Sequence, residues 1–154
     1  MANAAQLVNN IHTSFLADGD RFTVTPVFHV FEMYAAHHGG TSVRTIFSAP
    51  SLPDKSANGL WGLGGSCSLH GKHGVLTVVN PDAQNARETE IEFRGARISG
   101  MQATVLSSSD IHAHNTFEHP QALEPARVKV SAGGSPMLHE FAPASVTRLE
   151  FDLA

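Results

Sequence analysis

Cysteine, charge and long apolar runs are all scarce in this 154-residue sequence. The single cysteine, Cys67, cannot form an internal disulfide, so the sequence gives no sign of an oxidising compartment. Charged residues make up 16% of the chain and the net charge is −4, which argues against a nucleic-acid partner. No apolar run approaches the roughly 18 residues of a membrane span, and the first ten residues lack a basic region. We therefore predict no membrane partner and favour the cytoplasm.

The hydrophobic period changes near Gly39-Gly40, and the part before this pair is helical or mixed. Thr25 suits an N-cap and Pro26 suits the first helical position. We therefore predict a helix over Pro26–His38, which the two glycines end. The apolar residues that recur in it at helical spacing are Val27, Val30, Phe31 and Tyr34.

Two further elements are predicted upstream of this helix. Ala4–Asn10 is expected to form another helical turn or two, and Ile11–Ala17 a short buried strand. The turn Asp18-Gly19-Asp20 would close that strand. A helix, a strand and a helix are too little to bury their own apolar residues.

From Thr41 onward the sequence consists of short apolar segments separated by Gly, Pro, Asn and Asp. This pattern is typical of an antiparallel β-sandwich or jelly roll, and we predict seven or eight strands. The glycine-rich segment Asn58–Gly74 fits either a mobile excursion or a hairpin. The fold class is therefore mainly β, preceded by a short mixed segment. The predicted strand segments are Val75–Val79, Thr89–Phe93, Met101–Leu106, Val128–Val130, Met137–Phe141 and Leu149–Leu153.

Ten histidines raise the question of a metal site. His112 and His114 would lie on one face of an extended segment, with His119 nearby, so a three-histidine zinc site is the alternative to be kept. No further ligand has a diagnostic spacing, and we predict no metal and no cofactor. The pair His37-His38 is expected to contact the last carbonyls of the predicted helix.

The carboxylates divide into a solvated stripe and two candidates. Glu32 and Glu118 each lie among apolar residues, so we expect them to be buried and paired. They are also the candidate catalytic residues, because a glycosidase generally needs two carboxyl groups, about 5 Å apart in a retaining enzyme. A serine hydrolase is not indicated, since the chain has no Gly-x-Ser-x-Gly. The solvated stripe consists of Glu88, Glu90 and Glu92.

Five segments resemble the carboxyl-terminal part of family 51 α-L-arabinofuranosidases. The first, Thr25–His37, is similar to the segment that forms the last barrel helix and leads into the β-sandwich. Similarity extends over nearly the whole chain and thins between about residues 49 and 74. The other segments are Ala5–Asn9, Val78–Pro81, Asp110–Pro120 and Ala142–Val146.

The resemblance implies a two-part enzyme in which a (β/α)8 barrel contains two catalytic glutamates on earlier strands, which this chain lacks. Residues 1–40 would be a remnant of that barrel and residues 41–154 the C-terminal sandwich. His12 occupies the position of a sugar-binding residue that is often glutamine in the family. Without its barrel neighbours, the first segment is expected to expose apolar surface and to cause self-association or rearrangement.

Three functions follow from these features. We predict a noncatalytic sandwich that supports the barrel and helps the enzyme oligomerise, with arabinofuranoside-containing saccharides as partners of the complete enzyme. One alternative is a carbohydrate-binding module that uses Trp61 as a stacking platform. The other is a small glycosidase or metal-assisted hydrolase that uses histidines and carboxylates.

Overall fold

The structure, a computed structural model, describes residues 6–52, 61–130 and 136–154. Eight of its strands follow residue 40, and all named strand pairs are antiparallel, which confirms the mainly β prediction. The elements are β1 (Phe15–Asp18), β2 (Arg21–Val24), α1 (Pro26–Ala35), β3 (Thr41–Val43), β4 (Gly64–His70), β5 (His73–Asn80), β6 (Arg87–Ile91), β7 (Ile98–Leu106), β8 (Ala126–Val128), β9 (Met137–Phe141) and β10 (Ser145–Leu153).

The main sheet has six strands in the order β3-β4-β5-β10-β7-β8, while β1-β2 and β6-β9 form separate two-stranded sheets. The last strand, β10, lies in the middle and pairs with β5 on one side and β7 on the other. Leu149 of β10 therefore has Leu76 and Ala103 as cross-strand neighbours. The carboxyl-terminal residues thus complete the sheet.

The core lies between the inner face of the six-stranded sheet and the β6-β9 pair. Leu76, Leu149 and Phe151 project from the large sheet, and Phe141 of β9 projects towards them in the same buried cluster. Because a Cβ at Gly74 would lie 2.2 Å from the Phe151 ring, only glycine fits opposite that ring. Alternation along β10 produces this face, since the residues two apart are the buried ones.

Both faces of β5 are buried, the outer one as well as the face towards the core. Val75 and Thr77 are 1% and 0% exposed, although they alternate with the core residues Leu76 and Val78. The chain just beyond α1 lies on this outer face, because the His37 ring contacts Thr77. A segment that is distant in sequence therefore covers the outer face of β5, so that the middle of this strand is buried on both faces.

The helix α1 is shorter than predicted and ends at Ala35. Beyond it, His37 and His38 donate backbone hydrogen bonds to the carbonyls three residues earlier, which tightens the chain into turns. Thr25 has extended backbone angles, but its hydroxyl donates to the Thr13 carbonyl at 2.6 Å and does not cap the helix. Pro26 begins the helix as predicted.

The buried stripe of α1 differs from the predicted apolar face. The buried residues are His29 and Met33, four positions apart, whereas Phe31 is 39% exposed. The helix contacts β2 and β10. The predicted face was chosen from the apolar residues alone, but a histidine, His29, lies on the side of α1 that packs against the rest of the domain.

The elements upstream of α1 also differ from the prediction. Residues 6–10 form bends and a bridge instead of a helix; residues 4 and 5 lie outside the described residues. The Asn9 side chain pairs with the Ala17 backbone through bonds of 2.8 and 2.9 Å, which join this segment to β1. The predicted strand begins at Phe15, not Ile11. The turn at Gly19-Asp20 between β1 and β2 is confirmed.

The hairpin alternative for the glycine-rich segment is confirmed in its described part, residues 61–74. Strands β4 and β5 pair in register from Gly64–Val79 to His70–His73. Residues 58–60 lie outside the described residues. Over the described ranges, no helix is long and apolar enough to cross a membrane.

Candidate functional site

Glu32 lies on α1 with its side chain 55% exposed. Its Oε2 is 3.4 Å from Nδ1 of His29, one helical turn earlier. The expectation of burial is wrong here, because the packed stripe of the helix passes through His29 and Met33 and turns Glu32 towards solvent.

Glu118 lies in the loop between β7 and β8, and its side chain is 69% exposed. Its Oε1 is 3.5 Å from a guanidinium nitrogen of Arg21, which also forms an ion pair with Asp18. The same guanidinium lies over the Phe117 ring, 4.5 Å from its centroid. The expectation of burial is wrong for Glu118 also, since the apolar neighbour Phe117 stacks on arginine instead of covering the carboxylate.

A buried asparagine fixes this loop against the β1-β2 hairpin. Asn115 is 1% exposed; its amide donates to the Val24 carbonyl at 3.1 Å and its Oδ1 accepts from the Leu123 amide at 2.7 Å. These buried hydrogen bonds join the loop to the hairpin, and Glu118 lies on the surface of the loop. Glu32 and Glu118 are paired with different basic side chains.

Of the three histidines of the alternative metal site, His114 makes a side-chain contact, whereas the contacts of His112 and His119 are made by their backbone groups. Nδ1 of His114 is 2.7 Å from the His112 carbonyl, and the backbone amide of His119 donates to the Thr116 hydroxyl. In the part of the chain that the structure describes, no three His, Cys, Asp or Glu side chains are grouped closely enough to hold a metal ion. The structure does not bring these histidines together.

The two predicted sugar contacts are both exposed. His12 lies in the turn before β1 with a positive φ of 59°, and the chain there is not the strand that the sequence predicted. Trp61 is 77% exposed at the start of the segment that leads into β4. An exposed indole ring is suited to stacking on a sugar ring, and neither residue lies in the cleft described next.

A small apolar cleft of about 160 Å³ lies beside the end of β7. Its one carboxylate, that of Asp110, accepts a hydrogen bond from the His112 amide at 2.9 Å. A cleft with a single, already engaged carboxylate lacks the acid and nucleophile pair of a glycosidase. The remaining lining residues are Leu106, Ser107, Ser108, Ile111, Ala113, Leu123, Ala144 and Val146.

His37 forms the contact that the sequence did not predict. Its Nδ1 is 2.7 Å from the Ser68 hydroxyl and its Nε2 is 2.7 Å from the Thr77 hydroxyl. Burial lowers the pKa of His37, and the nearby His70 and Arg148 lower this pKa further. The ring therefore faces the sheet. The prediction that the His37 ring contacts the last carbonyls of the helix is wrong. One signal in the sequence could have indicated this contact. Ser68 alternates in β4 with residues that face the core, so its side chain lies on the outer face of the sheet.

The His37–Ser68 contact has the geometry of a base beside a serine nucleophile. However, Ser68 is only 4% exposed, so its hydroxyl has no access for a substrate. Both nitrogens of the ring are already engaged, one by each hydroxyl. The contact is therefore structural and not a hydrolase site.

The turn after β5 is a second dense polar cluster. The buried Asp82 carboxylate accepts from the backbone amides of Gln84 and Asn85 and pairs with Arg87 at 2.9 Å. These backbone bonds, with help from the side chains of Asn85 and Arg87, lower the pKa of Asp82 to about 2. The Asn80 amide donates to a backbone carbonyl of the same turn and to the carbonyls of the last residue of β9 and the residue after it. This cluster joins β5, β6 and β9. Each of its side-chain atoms named here already has a hydrogen-bond or ion-pair partner, so we assign the cluster a structural role.

The comparisons with known proteins agree with this geometry. The family model described as the α-L-arabinofuranosidase C-terminal domain matches residues 1–145. The chain belongs to this family. A curated relative, the intracellular exo-α-L-arabinofuranosidase of Bacteroides ovatus, is 27% identical over 138 residues. That match covers 86% of this chain and 27% of the relative.

Solved structures show the same fold for the domain. The family 51 arabinofuranosidase of Xanthomonas axonopodis pv. citri matches 99% of this chain and 31% of its own, at a TM-score of 0.86 and 25% identity. The α-L-arabinofuranosidase of Thermotoga maritima matches 97% of this chain and 33% of its own, at a TM-score of 0.83 and 24% identity. The chain thus spans about a third of the length of these structures. Their similarity confirms the assignment as a C-terminal β-sandwich domain.

Proposed function

We propose that this C-terminal domain is noncatalytic by itself and supports the catalytic part of an α-L-arabinofuranosidase. The main support is the exposure and the pairing of its two candidate catalytic carboxylates. Glu32 and Glu118 are exposed, and each is paired with a basic side chain outside any enclosed cleft. A general acid in a glycosidase needs a sheltered environment that raises its pKa, together with a second carboxylate at a fixed distance.

In the complete enzyme, the substrates would be arabinofuranoside-containing saccharides. The catalytic glutamates would come from a barrel, for which the additional length of the relatives leaves room. We place the boundary between barrel remnant and sandwich at residues 40 and 41. The cytoplasm is the proposed compartment, supported by the name of the Bacteroides ovatus relative. No cofactor is needed for two-carboxylate hydrolysis.

Hydrolysis of an aryl arabinofuranoside by the purified chain tests this proposal. We expect no turnover above the buffer rate, and therefore no difference between the wild-type chain and the Glu32→Gln, Glu118→Gln or His12→Ala variants. Turnover that one of these variants abolishes would contradict the proposal and favour the small hydrolase. Retention on an arabinan gel without turnover, lost in Trp61→Ala, would favour the carbohydrate-binding module, which the exposure of Trp61 supports.

The segment before α1 exposes more large apolar side chains than its length explains. We propose that this surface contacts the barrel in the complete enzyme and causes self-association of the isolated chain. Fully burying one such side chain stabilises an interface by roughly 1.5–3 kcal/mol. The exposed residues, with those of α1 included, are Leu7, Val8, Ile11, Phe22 and Phe31.

Sedimentation velocity over a concentration series measures this self-association. The double variant Ile11→Ser with Phe22→Ser is expected to raise the dissociation constant by about tenfold or more, because two apolar contacts are lost. The matched control is Ile46→Ser with Leu138→Ser, whose side chains are equally exposed but lie outside the segment. Equal effects of the two double variants, or a wild-type chain that stays monomeric, would contradict the proposed surface.

A further inference from the structure

Two histidines interlock where the chain beyond α1 meets the outer face of the six-stranded sheet. His37 enters between Ser68 of β4 and Thr77 of β5, with 2.7 Å to each hydroxyl. In the opposite direction, Nε2 of His70 on β4 lies 3.1 Å from the Ala36 carbonyl. The approach is close, because a Cβ on Gly40 would lie 2.7 Å from that same nitrogen.

The hydroxyl partners of His37 fit a neutral ring. A neutral imidazole has one nitrogen that donates and one that accepts, so it donates to one hydroxyl and accepts from the other. When the ring takes a second proton, both nitrogens donate, and the hydroxyl that had donated to the ring loses its acceptor. Thr77 is 0% and Ser68 4% exposed, so water cannot readily replace that acceptor.

The charges around the ring act in the same direction. Arg148 of β10 and His70 of β4 are positive or can become so, and both disfavour a cationic His37. Glu150 pairs with Arg148 at 3.2 Å and offsets part of that charge. Tyr34 of α1 faces the ring with centroids 5.9 Å apart and adds no charge, since its ordinary pKa is 10.0 and burial raises this pKa further.

We propose that His37 is a pH-sensitive latch that fastens the end of α1 to the sheet while its ring is neutral and loosens when the ring is protonated. The latch joins the segment assigned to the barrel with the sandwich. Mild acid would therefore weaken the attachment between the two parts before it unfolds either strand layer. This inference does not depend on whether the chain is catalytic.

The direction of the pH effect follows from proton linkage. Burial lowers the pKa of His37 in the fastened state below the ordinary value of 6.5, so the released state binds the proton more readily. Stability from the latch is therefore fully present above about 6.5 and is lost as the pH falls through the lowered pKa. A raised pKa would reverse this sign.

Two measurements on the wild-type chain test the latch. Histidine-selective NMR titration is expected to give a His37 midpoint below 6.5. Amide hydrogen exchange, corrected for intrinsic rates, is expected to show several-fold less protection in α1 at about pH 5.5 than at about pH 7.5. Protection in β5 and β10 should change little, which separates local release from global unfolding. A midpoint at or above 6.5, or equal protection of α1 at both pH values, would overturn the proposal.

The variant His37→Gln supplies the matched comparison. A glutamine amide can donate and accept but does not titrate, so protection of α1 should become independent of pH over the same interval. The control is His38→Gln, which changes the adjacent exposed residue and should keep the wild-type pH dependence. An unchanged pH dependence in His37→Gln would overturn the latch. If that variant does not fold, the two wild-type measurements decide the question.

Discussion

Replacing Leu149 with alanine is expected to lower the free energy of unfolding by about 2–5 kcal/mol, the usual cost of truncating a fully buried leucine. Leu149 is 0% exposed and lies on the central strand β10, between Leu76 of β5 and Ala103 of β7. A cavity at this position removes contacts from both neighbouring strands and from the β6-β9 layer. Urea unfolding followed by circular dichroism measures the change.

Leu138→Ala is the matched control for this substitution. Leu138 is on strand β9 but is 60% exposed, so its truncation should change the free energy of unfolding by no more than about 0.5 kcal/mol. If the two variants were equally stable, β10 would not be the centre of the core.

Replacing Asn80 with aspartate is expected to destabilise the domain by about 3 kcal/mol or more at neutral pH, because it buries an unpaired charge. Asn80 is 1% exposed, and its amide nitrogen lies 3.0, 3.1 and 2.9 Å from the carbonyls of Asn85, Phe141 and Ala142. A carboxylate in this place would direct negative charge at three acceptors. The loss should decrease in mild acid, where the introduced carboxyl group is protonated and can donate once.

The control for this substitution is Asn10→Asp, at an exposed position that adds the same charge. Chemical unfolding at about pH 7 and about pH 5 should show a large, pH-dependent loss for Asn80→Asp and little change for Asn10→Asp. A small loss for Asn80→Asp, or a loss that grows in acid, would contradict the assigned hydrogen bonds.

Much of the sandwich could be predicted because its signals are local. Alternation in Leu149–Leu153 and Met137–Phe141 gives strands whose inward residues are the buried ones. The exposed stripe of Glu88, Glu90 and Glu92 is confirmed for the same reason. A period of two depends only on neighbours along the chain, and the sheet keeps it wherever one face meets the core.

The errors arose where residues distant in sequence decide burial. Burial of both faces of β5 depends on residues outside the strand, because the chain beyond α1 covers its outer face and brings His37 onto Thr77, 40 residues away. Glu32 and Glu118 were predicted to be buried from their apolar neighbours, yet packing turns both outward. Local apolarity does not say which side of a helix or loop will meet the rest of the molecule.

The rate at which the purified chain hydrolyses an aryl arabinofuranoside tests the noncatalytic role most directly. The family 51 arabinofuranosidase of Xanthomonas axonopodis pv. citri, at equal molar concentration, serves as the positive control. We predict release by the relative and a rate equal to that of buffer alone for this chain. Turnover by this chain that Glu32→Gln or Glu118→Gln abolishes would contradict the assignment of a supporting, noncatalytic domain.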